Sequence, residues 1–514
     1  MAIGLSKSKL LAFRQCPKRL WLEVVRPELG ADGDSAKQRF AAGHRVGELA
    51  RAQYPDGVLI AHDNDLASAL RETSERLCDK PRKVLFEATF ERQGLLVRTD
   101  LLIPVKNGWH LVEVKSSTKI KDYHLEDAAI QSWVLQHAWL PIRNASLQLV
   151  DSQWTYPGGN DYSGLLQVAS VGRDIGLLEY EVPRWLKRAK NVIDGTEPKI
   201  KMGKHCNDPF PCGFQDYCQS LAKPVKYPVS WLPRLGKKAA AFATEGIVDM
   251  RKVPAADLTD KQYRVLKATL RDEIYFEPLS KEELKQFSGT RYYLDFETIS
   301  FAVPIWAGTR PYQQVPFQYH CHIDAPDSAI AWTMFLDVSG NDPSRHFAKA
   351  LVRLLGRKGP IIAYNAGFEK RIIKDLAARF EDLAPKLNKL LDRVVDLLPF
   401  VVKHYYHPDM QGSWSLKAVL PTIAPDLAYS NLGEVADGAS AQSAYLEAIH
   451  NDTTLDRRMD LEQALVNYCR RDTEAMLRIL TYLCEPQYMD DMTATTGGLL
   501  KIPMGRSTAS DDPR

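Results

Sequence analysis

Long apolar runs are missing from this sequence: none approaches the roughly eighteen residues that a membrane-spanning helix needs. The first residues also lack the apolar core of a secretory signal peptide. The excess of one charge is slight, and a net charge of +3 is too small to indicate a nucleic-acid partner by itself. Cysteine is sparse as well, with eight in 514 residues. We therefore expect a cytoplasmic protein without membrane contact, whose cysteines are reduced or metal-bound rather than paired.

The overall composition of the sequence is that of an ordinary folded protein. Apolar residues make up 45% of the sequence and charged residues 25%, proportions that are typical of globular rather than disordered proteins. The chain is long enough for two or three domains, each with a core of its own.

A predicted β-hairpin spans residues 98–115, where two apolar runs flank Asn107-Gly108. This dipeptide tolerates positive φ and favours a two-residue turn. If the turn is centred there, the opposing pairs are Lys106 with Trp109, Leu102 with Glu113, and Asp100 with Lys115.

The hairpin predicts a metal-dependent phosphodiesterase site. Because side chains alternate along a strand, Asp100, Glu113 and Lys115 share one face. The carboxylates would hold Mg²⁺ or Mn²⁺, which prefer oxygen ligands, and the lysine would position or deprotonate the attacking water. The alternative is a charged hairpin exposed to solvent.

Four cysteines suggest a second metal site. Cys206, Cys212 and Cys218 are separated by five residues each, among prolines and glycines, and Cys16 can supply a fourth ligand. Four thiolates suit either Zn²⁺ or a [4Fe-4S] cluster, and the spacing does not separate the two.

The cysteines and the hairpin together resemble the RecB-type nucleases of the PD-(D/E)XK superfamily over residues 6–220. The resemblance implies a [4Fe-4S] cluster that joins the two ends of the domain. The last three cysteines of that family are usually spaced by two and then five residues, so zinc remains the alternative cofactor.

The same resemblance assigns two further residues, each on a predicted helix. His44, in the predicted helix 40–52, is implied to be a metal ligand, with a surface histidine as the alternative. Gln131, in the predicted helix 125–139, matches the glutamine of the family's Gln-x3-Tyr motif. Leu135 stands where that motif has tyrosine.

Residues 223–285 are predicted to connect two domains. The stretch begins with prolines and continues through short helical patterns that are broken by Gly236 and Gly246. The sequence from Leu235 to Ala239, followed by Glu245-Gly246-Ile247, is similar to a helix-hairpin-helix, whose turn can present N–H groups to phosphate. A plain helical connector is the alternative.

The second half begins with a predicted strand, residues 291–298, on which Asp295 and Glu297 share a face. Further strands are predicted at 317–323, 330–336 and 361–364, and helices at 344–356 and 461–480. The last helix carries Tyr468 and Asp472 one turn apart, on one face.

These motifs resemble the DEDD exonucleases in their tyrosine variant, which have an RNase H-like fold. The resemblance implies that Asp295, Glu297 and Asp472 bind two metal ions and that Tyr468 orients the water. Glu369 stands at a position where the family more often has aspartate.

Between the motifs, residues 411–417 could contact a substrate strand through Trp414 and Lys417. Base stacking on an aromatic ring tolerates any sequence, and simple packing of the tryptophan is the alternative. The polar residues 491–514 are expected to form a disordered tail.

Together the two resemblances match an uncharacterised bacterial family that fuses a RecB-like nuclease to an RNase H-like exonuclease. The predicted fold is α/β, with a nuclease domain at 1–222, the connector at 223–285 and an exonuclease domain at 286–490. The predicted function is a dual nuclease that acts on DNA ends or single strands, in repair or defence, with DNA favoured over RNA. An RNA-processing exonuclease and a DNA-end binding protein with one active site are the alternatives, and no protein partner is predicted.

Overall fold

The computed structural model describes residues 4–31, 34–61, 65–236, 238–356, 358–429 and 432–484 of a mixed α/β protein. The predicted tail lies outside the described residues. The chain divides into two compact units: Met1–Lys223 with Ser300–Gln313, and Pro224–Ile299 with Gln314–Arg514. The division after Lys223 lies one residue from the predicted boundary. None of the helices in the described ranges is long and apolar enough to cross a bilayer.

The first unit is built on a seven-stranded sheet with the order β2-β3-β4-β5-β6-β7, to which β1 is added beside β4. The strands are β1 Leu5–Ser6, β2 Val58–Leu59, β3 Leu85–Arg92, β4 Leu95–Val105, β5 Gly108–Lys115, β6 Ile142–Val150 and β7 Leu166–Ser170. The helices are α1 Lys7–Gln15, α2 Pro17–Val25, α3 Asp34–Ala52, α4 Leu66–Leu77, α5 Asp122–His137, α6 Gly172–Glu179, α7 Val182–Ile193 and α8 Gln215–Ser220.

The predicted hairpin is confirmed, but its register is shifted by two residues. Val105 pairs with Gly108 and Leu101 with Val112, so the predicted pairing of Asp100 with Lys115 is wrong. The turn residue with positive φ is Asn107, at 62°. Gly108 is instead the first residue of β5, where a Cβ would approach the Pro141 carbonyl oxygen to 2.4 Å. A shift of two residues keeps every side chain on its predicted face.

β4 has two different partners along one edge. The opposite edge of β4 has a single partner, β3, from Leu95 to Leu102. Along the edge with two partners, β4 pairs with β1 at Leu95 and Leu96, and with β5 from Leu101 onward. The sheet is therefore forked between these two stretches, and Asp100 lies at the fork.

Helices cover both faces of this sheet. On one face, Leu102 and Leu111 pack in a core with residues of α1, α2, α5 and α7. On the other face, Leu101 and Val112 pack against Ala50 of α3. The Ser300–Gln313 segment also belongs to this unit, because Ala302 and Val303 join a cluster with Val46, Val150 and Leu165.

The second unit contains a five-stranded sheet with the order β11-β10-β9-β12-β13. The first three strands are antiparallel, whereas β9, β12 and β13 run parallel. The five strands are β9 Arg291–Ile299, β10 Val315–Asp324, β11 Ala331–Leu336, β12 Ile361–Ala363 and β13 Val394–Asp396. A separate two-stranded sheet pairs β8 Tyr275–Phe276 with β14 Tyr405–Tyr406. The helices are α9 Lys238–Thr244, α10 Asp260–Arg271, α11 Lys281–Lys285, α12 Ser344–Leu355, α13 Gly367–Arg379, α14 Ala384–Leu391, α15 Leu398–His404, α16 Leu416–Ile423, α17 Gly438–Ala448 and α18 Leu455–Cys484.

The strands and helices predicted for the second half are confirmed to within a few residues, and α18 is longer at both ends than predicted. Burial explains the extension at the C-terminal end, where Leu483 lies inside the core, whereas Leu455 and Met459 at the N-terminal end are exposed. Tyr468 and Asp472, on the same helix, are both buried.

Residues 223–285 differ from their prediction. Leu232, Met250 and Val265 pack in one core with Tyr405 and Leu480, so this stretch is part of the second unit rather than a separate connector. α9 ends at Thr244 and α10 begins at Asp260. Within the described residues, no second α-helix adjoins the turn at Gly246, and the helix-hairpin-helix stays a prediction.

Candidate active sites

The first candidate site lies at the fork of the seven-stranded sheet. Asp100, Glu113 and Lys115 stand on the face covered by α1 and α5, and Asp100 Oδ2 accepts the Val114 N–H at 2.7 Å. Glu113 is 2% exposed. Gln131, on α5, donates from Nε2 to Glu113 Oε2 at 2.6 Å. The structure thus brings together four residues that the sequence analysis had assigned to one site.

Two residues that the sequence analysis missed complete this arrangement. Lys7 Nζ lies 2.8 Å from Glu113 Oε1 and 2.9 Å from Asp127 Oδ1. Lys115 Nζ lies 2.7 Å from the same Glu113 oxygen and 2.5 Å from Asp127 Oδ2. Asp127 had a detectable signal, because it stands one helical turn before Gln131. Lys7 had none, since it is more than ninety positions away from Asp100 in the chain.

Burial sets the protonation of this site. It raises the pKa of Asp100 to about 8, and the neighbouring charge of Glu113 adds to the shift. Burial acts against the charged form of Lys115, but the carboxylates of Asp127 and Glu113 outweigh it and raise the pKa of that lysine. Both lysines are therefore charged at neutral pH, and each holds two carboxylates.

The structure does not bring His44 to these carboxylates. It is exposed on α3, the helix that packs through Ala50 on the opposite face of the sheet from Glu113. In the described part of the chain, His44 forms no hydrogen bond or ion pair with Asp100 or Glu113.

The four predicted cysteine ligands line one cavity of about 350 Å³, measured with its open mouth. Cys16 caps the start of α2, whereas the other three belong to the loop and helix of residues 206–218. Burial raises the pKa of the Cys212 and Cys218 thiols, and the charges of Cys16 and Cys206 add to both shifts. The four sulfur atoms are therefore electrostatic neighbours.

Polar contacts fasten the cysteine loop to the first helices. Gln15 donates from Nε2 to the carbonyl oxygens of His205 at 2.7 Å and Phe210 at 2.8 Å. Lys18, which is 6% exposed, pairs with Glu197 at 2.7 Å, and Glu197 accepts from the Tyr217 hydroxyl at 2.9 Å. These contacts hold the cysteine loop against the first two helices.

The second candidate site lies between β9 and α18. Asp295, Glu297 and Asp472 have carboxylate oxygens within 4.8 Å of one another, the one such group of three found among the described residues. β9 supplies the first two and α18 the third. The predicted spacing on a strand and a helix therefore produces a compact cluster of acids.

Burial raises the pKa values of Asp295 and Glu297 well above the usual range of a carboxyl group, and the charge of Asp472 raises both pKa values further. The pKa of Asp472 is raised to about 6, again by burial. The Tyr429 hydroxyl donates to Asp472 Oδ1 and opposes that shift. Three acids this close together in a largely desolvated site are stable only when they share protons or a bound cation.

Glu369 lies near this cluster but outside its 4.8 Å radius. It is 5% exposed, and burial raises its pKa to about 7. Its Oε2 is buried without a hydrogen-bond partner among the described residues. Asp396, by contrast, accepts the N–H groups of Asn365 and Leu398, which is the role of a turn residue at a strand end.

The aromatic and basic residues of the second site fall into two groups. Tyr468 is 6% exposed, and the Lys417 ammonium lies 5.7 Å from its ring centre and 5.5 Å from that of Tyr429. Trp414 is 8% exposed and donates from Nε1 to the Tyr405 carbonyl at 2.8 Å. This placement agrees with the packing alternative for Trp414, whereas Lys417 faces the acids.

Two buried histidines fix the rotation of α18, which the sequence analysis did not anticipate. His320 and His322, on β10, contact the Thr473 hydroxyl through Nδ1 at 2.7 Å and 2.9 Å. Gln318 donates to the Leu465 carbonyl at 3.0 Å on the same helix. Because Thr473 follows Asp472, these contacts determine where that carboxylate points.

A family model described as a domain of unknown function, DUF2779, matches residues 292–415. The matched stretch is well under half of the 514 residues. It includes Asp295, Glu297 and Glu369, and it ends before Tyr468 and Asp472. No curated protein matches the chain.

Proposed function

We propose that this protein is a metal-dependent nuclease with two hydrolytic sites, acting on DNA ends or single strands. The observation that carries the proposal is the cluster of Asp295, Glu297 and Asp472, whose oxygens lie within 4.8 Å of one another. Its placement on a central strand and a long helix supports the RNase H-like exonuclease that the sequence resembles. The fork with Asp100 and Glu113 supports a PD-(D/E)XK nuclease in the first unit.

The second site fits divalent cations. Its three acids have raised pKa values because they are buried together, and Glu369 adds an unpartnered oxygen close by. Mg²⁺ or Mn²⁺ bound there would activate water and stabilise charge on the phosphate. Tyr468 would then orient the attacking water, and Lys417 would hold the phosphate of the strand.

In the first site Asp100 and Glu113 would hold a single cation, which would have to displace one of the donors that already occupy Glu113. The buried Oε1 of Gln131 has no hydrogen-bond partner among the described residues, so it is available to a water molecule in this pocket. In the proposed reaction the Lys115 ammonium, which is charged, positions that water and the phosphate oxygen by donating hydrogen bonds, and the proton of the water passes to solvent. Gln131 keeps the Glu113 carboxylate in place through its hydrogen bond from Nε2.

We propose a [4Fe-4S] cluster rather than zinc as the group held by the four cysteines. A zinc ion with bonds of about 2.3 Å would draw sulfur atoms to within roughly 4 Å of one another. No three of these sulfur atoms lie within 4.8 Å, although all four line the same cavity. The larger iron-sulfur unit accommodates that wider spacing, and its role would be to join α2 to the loop of residues 206–218.

The test uses end-labelled single- and double-stranded DNA and RNA, incubated with anaerobically purified protein and Mn²⁺. We expect DNA cleavage, with Lys115→Ala abolishing one set of products and Asp472→Ala the other. If Asp472→Ala removed every product while Lys115→Ala left all of them, the first unit would be a binding platform. Preference for RNA in the same assay would overturn the assignment of the substrate.

A further inference from the structure

Lys7 lies inside the first site and takes part in a closed ring of charges. Its ammonium contacts one oxygen of Glu113 and one of Asp127, at 2.8 Å and 2.9 Å. Lys115 contacts the same two carboxylates. Two ammonium groups and two carboxylates therefore alternate around the ring, and the four charges cancel.

The fold fixes the position of Lys7. It is the first residue of α1 and directly follows β1, which pairs with the start of β4. The Ser6 hydroxyl caps the helix by accepting the Lys9 N–H at 3.3 Å. The strand before Lys7 and the helix that it begins therefore place this residue at the fork of the sheet. Its side chain is 18% exposed.

The contacts of Glu113 leave little room for a metal ion. Its Oε1 accepts from both lysines, and its Oε2 accepts from Gln131. A divalent cation that binds Glu113 must displace one of these donors. Lys7 is the donor that can leave, because Lys115 is the lysine of the nuclease motif and Gln131 is fully buried.

We propose that Lys7 is a built-in counter-ion that competes with the divalent metal for Glu113 and then serves the substrate. Without metal, its ammonium neutralises Glu113 and Asp127. When Mg²⁺ or Mn²⁺ binds Asp100 and Glu113, Lys7 releases Glu113 but stays paired with Asp127. Its freed N–H groups then bind a phosphate oxygen of the nucleic-acid backbone. This inference rests on the proposed nuclease function of the first site.

Asp127 is the anchor that makes this exchange possible. It is 3% exposed and sits one turn before Gln131, which donates to its Oδ1 at 2.9 Å. Its Oδ2 is held by Lys115 at 2.5 Å. Because Asp127 keeps its own partners, Lys7 can leave Glu113 without becoming an unpaired buried charge.

The experiment measures Mn²⁺ binding in the full-length protein, with Asp295→Asn and Glu297→Gln added to silence the second site. Free Mn²⁺ is counted by electron paramagnetic resonance, and DNA cleavage is followed under single-turnover conditions. In this background we expect Lys7→Met to bind Mn²⁺ about tenfold more tightly, as for linked binding events in general. Cleavage should nevertheless be about tenfold slower, because the phosphate loses a charged hydrogen-bond donor. Lys9→Met, on the same helix, should change neither.

Glu113→Gln distinguishes failure of the inference from failure of the proposed function. If Glu113→Gln leaves Mn²⁺ binding unchanged, the first site does not bind metal through Glu113, and the proposed function of this unit fails. If Glu113→Gln weakens binding but Lys7→Met leaves it unchanged or weakens it, the counter-ion inference alone is wrong. Should Lys7→Met fail to fold, Lys7→Met with Asp127→Asn removes one charge of each sign, and the same gain in Mn²⁺ affinity is expected.

Discussion

The two candidate sites treat buried negative charge in opposite ways. In the first, Glu113 and Asp127 are each within 3 Å of two lysines, so their charges are balanced by the protein itself. In the second, three acids face one another, and burial raises their pKa values. Lys417, whose charge lowers the pKa values of Glu297 and Asp472, donates its hydrogen bond to the Ala436 carbonyl.

If both sites bind divalent metal as proposed, this difference gives them different metal affinities. A site whose carboxylates are paired with lysines is stable without metal, and it binds metal more weakly because an incoming cation must displace a lysine. A site of clustered acids without a paired lysine destabilises the folded protein at neutral pH, and a bound cation removes that repulsion. We therefore expect the first site to need a higher Mn²⁺ concentration than the second.

The largest effect should come from removing a carboxylate of the second site. Asp472→Asn should lower exonuclease activity by about a thousandfold, a loss typical of an essential electrostatic group. Asp460→Asn, on the exposed side of the same helix, is the matched control and should keep full activity. The rate is measured on 5′-labelled single-stranded DNA, and an undiminished ladder for Asp472→Asn would assign exonuclease cleavage to the first site.

The next effect concerns how the first unit is held together. Since two lysines already balance the charges of Glu113 and Asp127, we expect the stability of this unit to depend on the four cysteines instead. Cys16→Ser should lose iron and lower the melting temperature of this unit by roughly 10 °C. Cys78→Ser, at an exposed cysteine, should do neither. Elemental analysis of anaerobic protein that found zinc and no iron would replace the iron-sulfur assignment.

A pH titration of the metal-free protein should separate the two sites further. The folded pKa of Asp472 is raised to about 6, above its unfolded value near 4. Its contribution to stability is therefore complete below pH 4 and is lost as the pH rises through 6, at most about 3 kcal/mol. Denaturant unfolding at pH 5 and pH 7.5 should show this loss, and Mn²⁺ should reverse it. Asp472→Asn should make the profile flatter, whereas a profile that rises with pH would contradict the raised pKa.

The smallest effect should follow from Tyr429→Phe. The Tyr429 hydroxyl donates to Asp472 and keeps the pKa of that carboxyl lower than burial alone would set it. Its loss should slow cleavage about threefold to tenfold at pH 6.5, the cost of one hydrogen bond, and much less at pH 8.5. Tyr468→Phe should instead reduce the rate at every pH. Equal pH–rate profiles for Tyr429→Phe and the unmodified protein would mean that the contact does not tune Asp472.

Local patterns in the sequence were sufficient for the strands and helices that carry the acids. Alternation placed Asp295 beside Glu297, and helical spacing placed Tyr468 above Asp472. The hairpin was recognised as well, but its register was not, because Gly108 is needed for the close approach of Pro141 rather than for the turn. Pro141 lies far later in the chain, so its contact with Gly108 cannot be read from the residues around the turn.

Long-range contacts account for the remaining differences. Lys7 and Tyr429 reach their carboxylates from elements far away in the chain, and no spacing rule connects them. The prolines after Lys223 resembled a linker, yet the apolar residues that follow pack against α18 and the strand at Tyr405. Composition indicates that such residues can be buried, but it does not say which core they join.

The Ser300–Gln313 segment determines where this protein can be divided. It lies between β9 and β10 in sequence, and it completes the first unit through Ala302, Val303 and the backbone pairing of Tyr156 with Thr309 at 2.9 Å. A gene fragment that stops at Lys223 therefore encodes an unfinished fold with Val46 and Val150 uncovered. The complementary fragment would carry an apolar loop without its binding surface. The two units are thus interleaved along the chain, and a single cut between them cannot leave both of them whole.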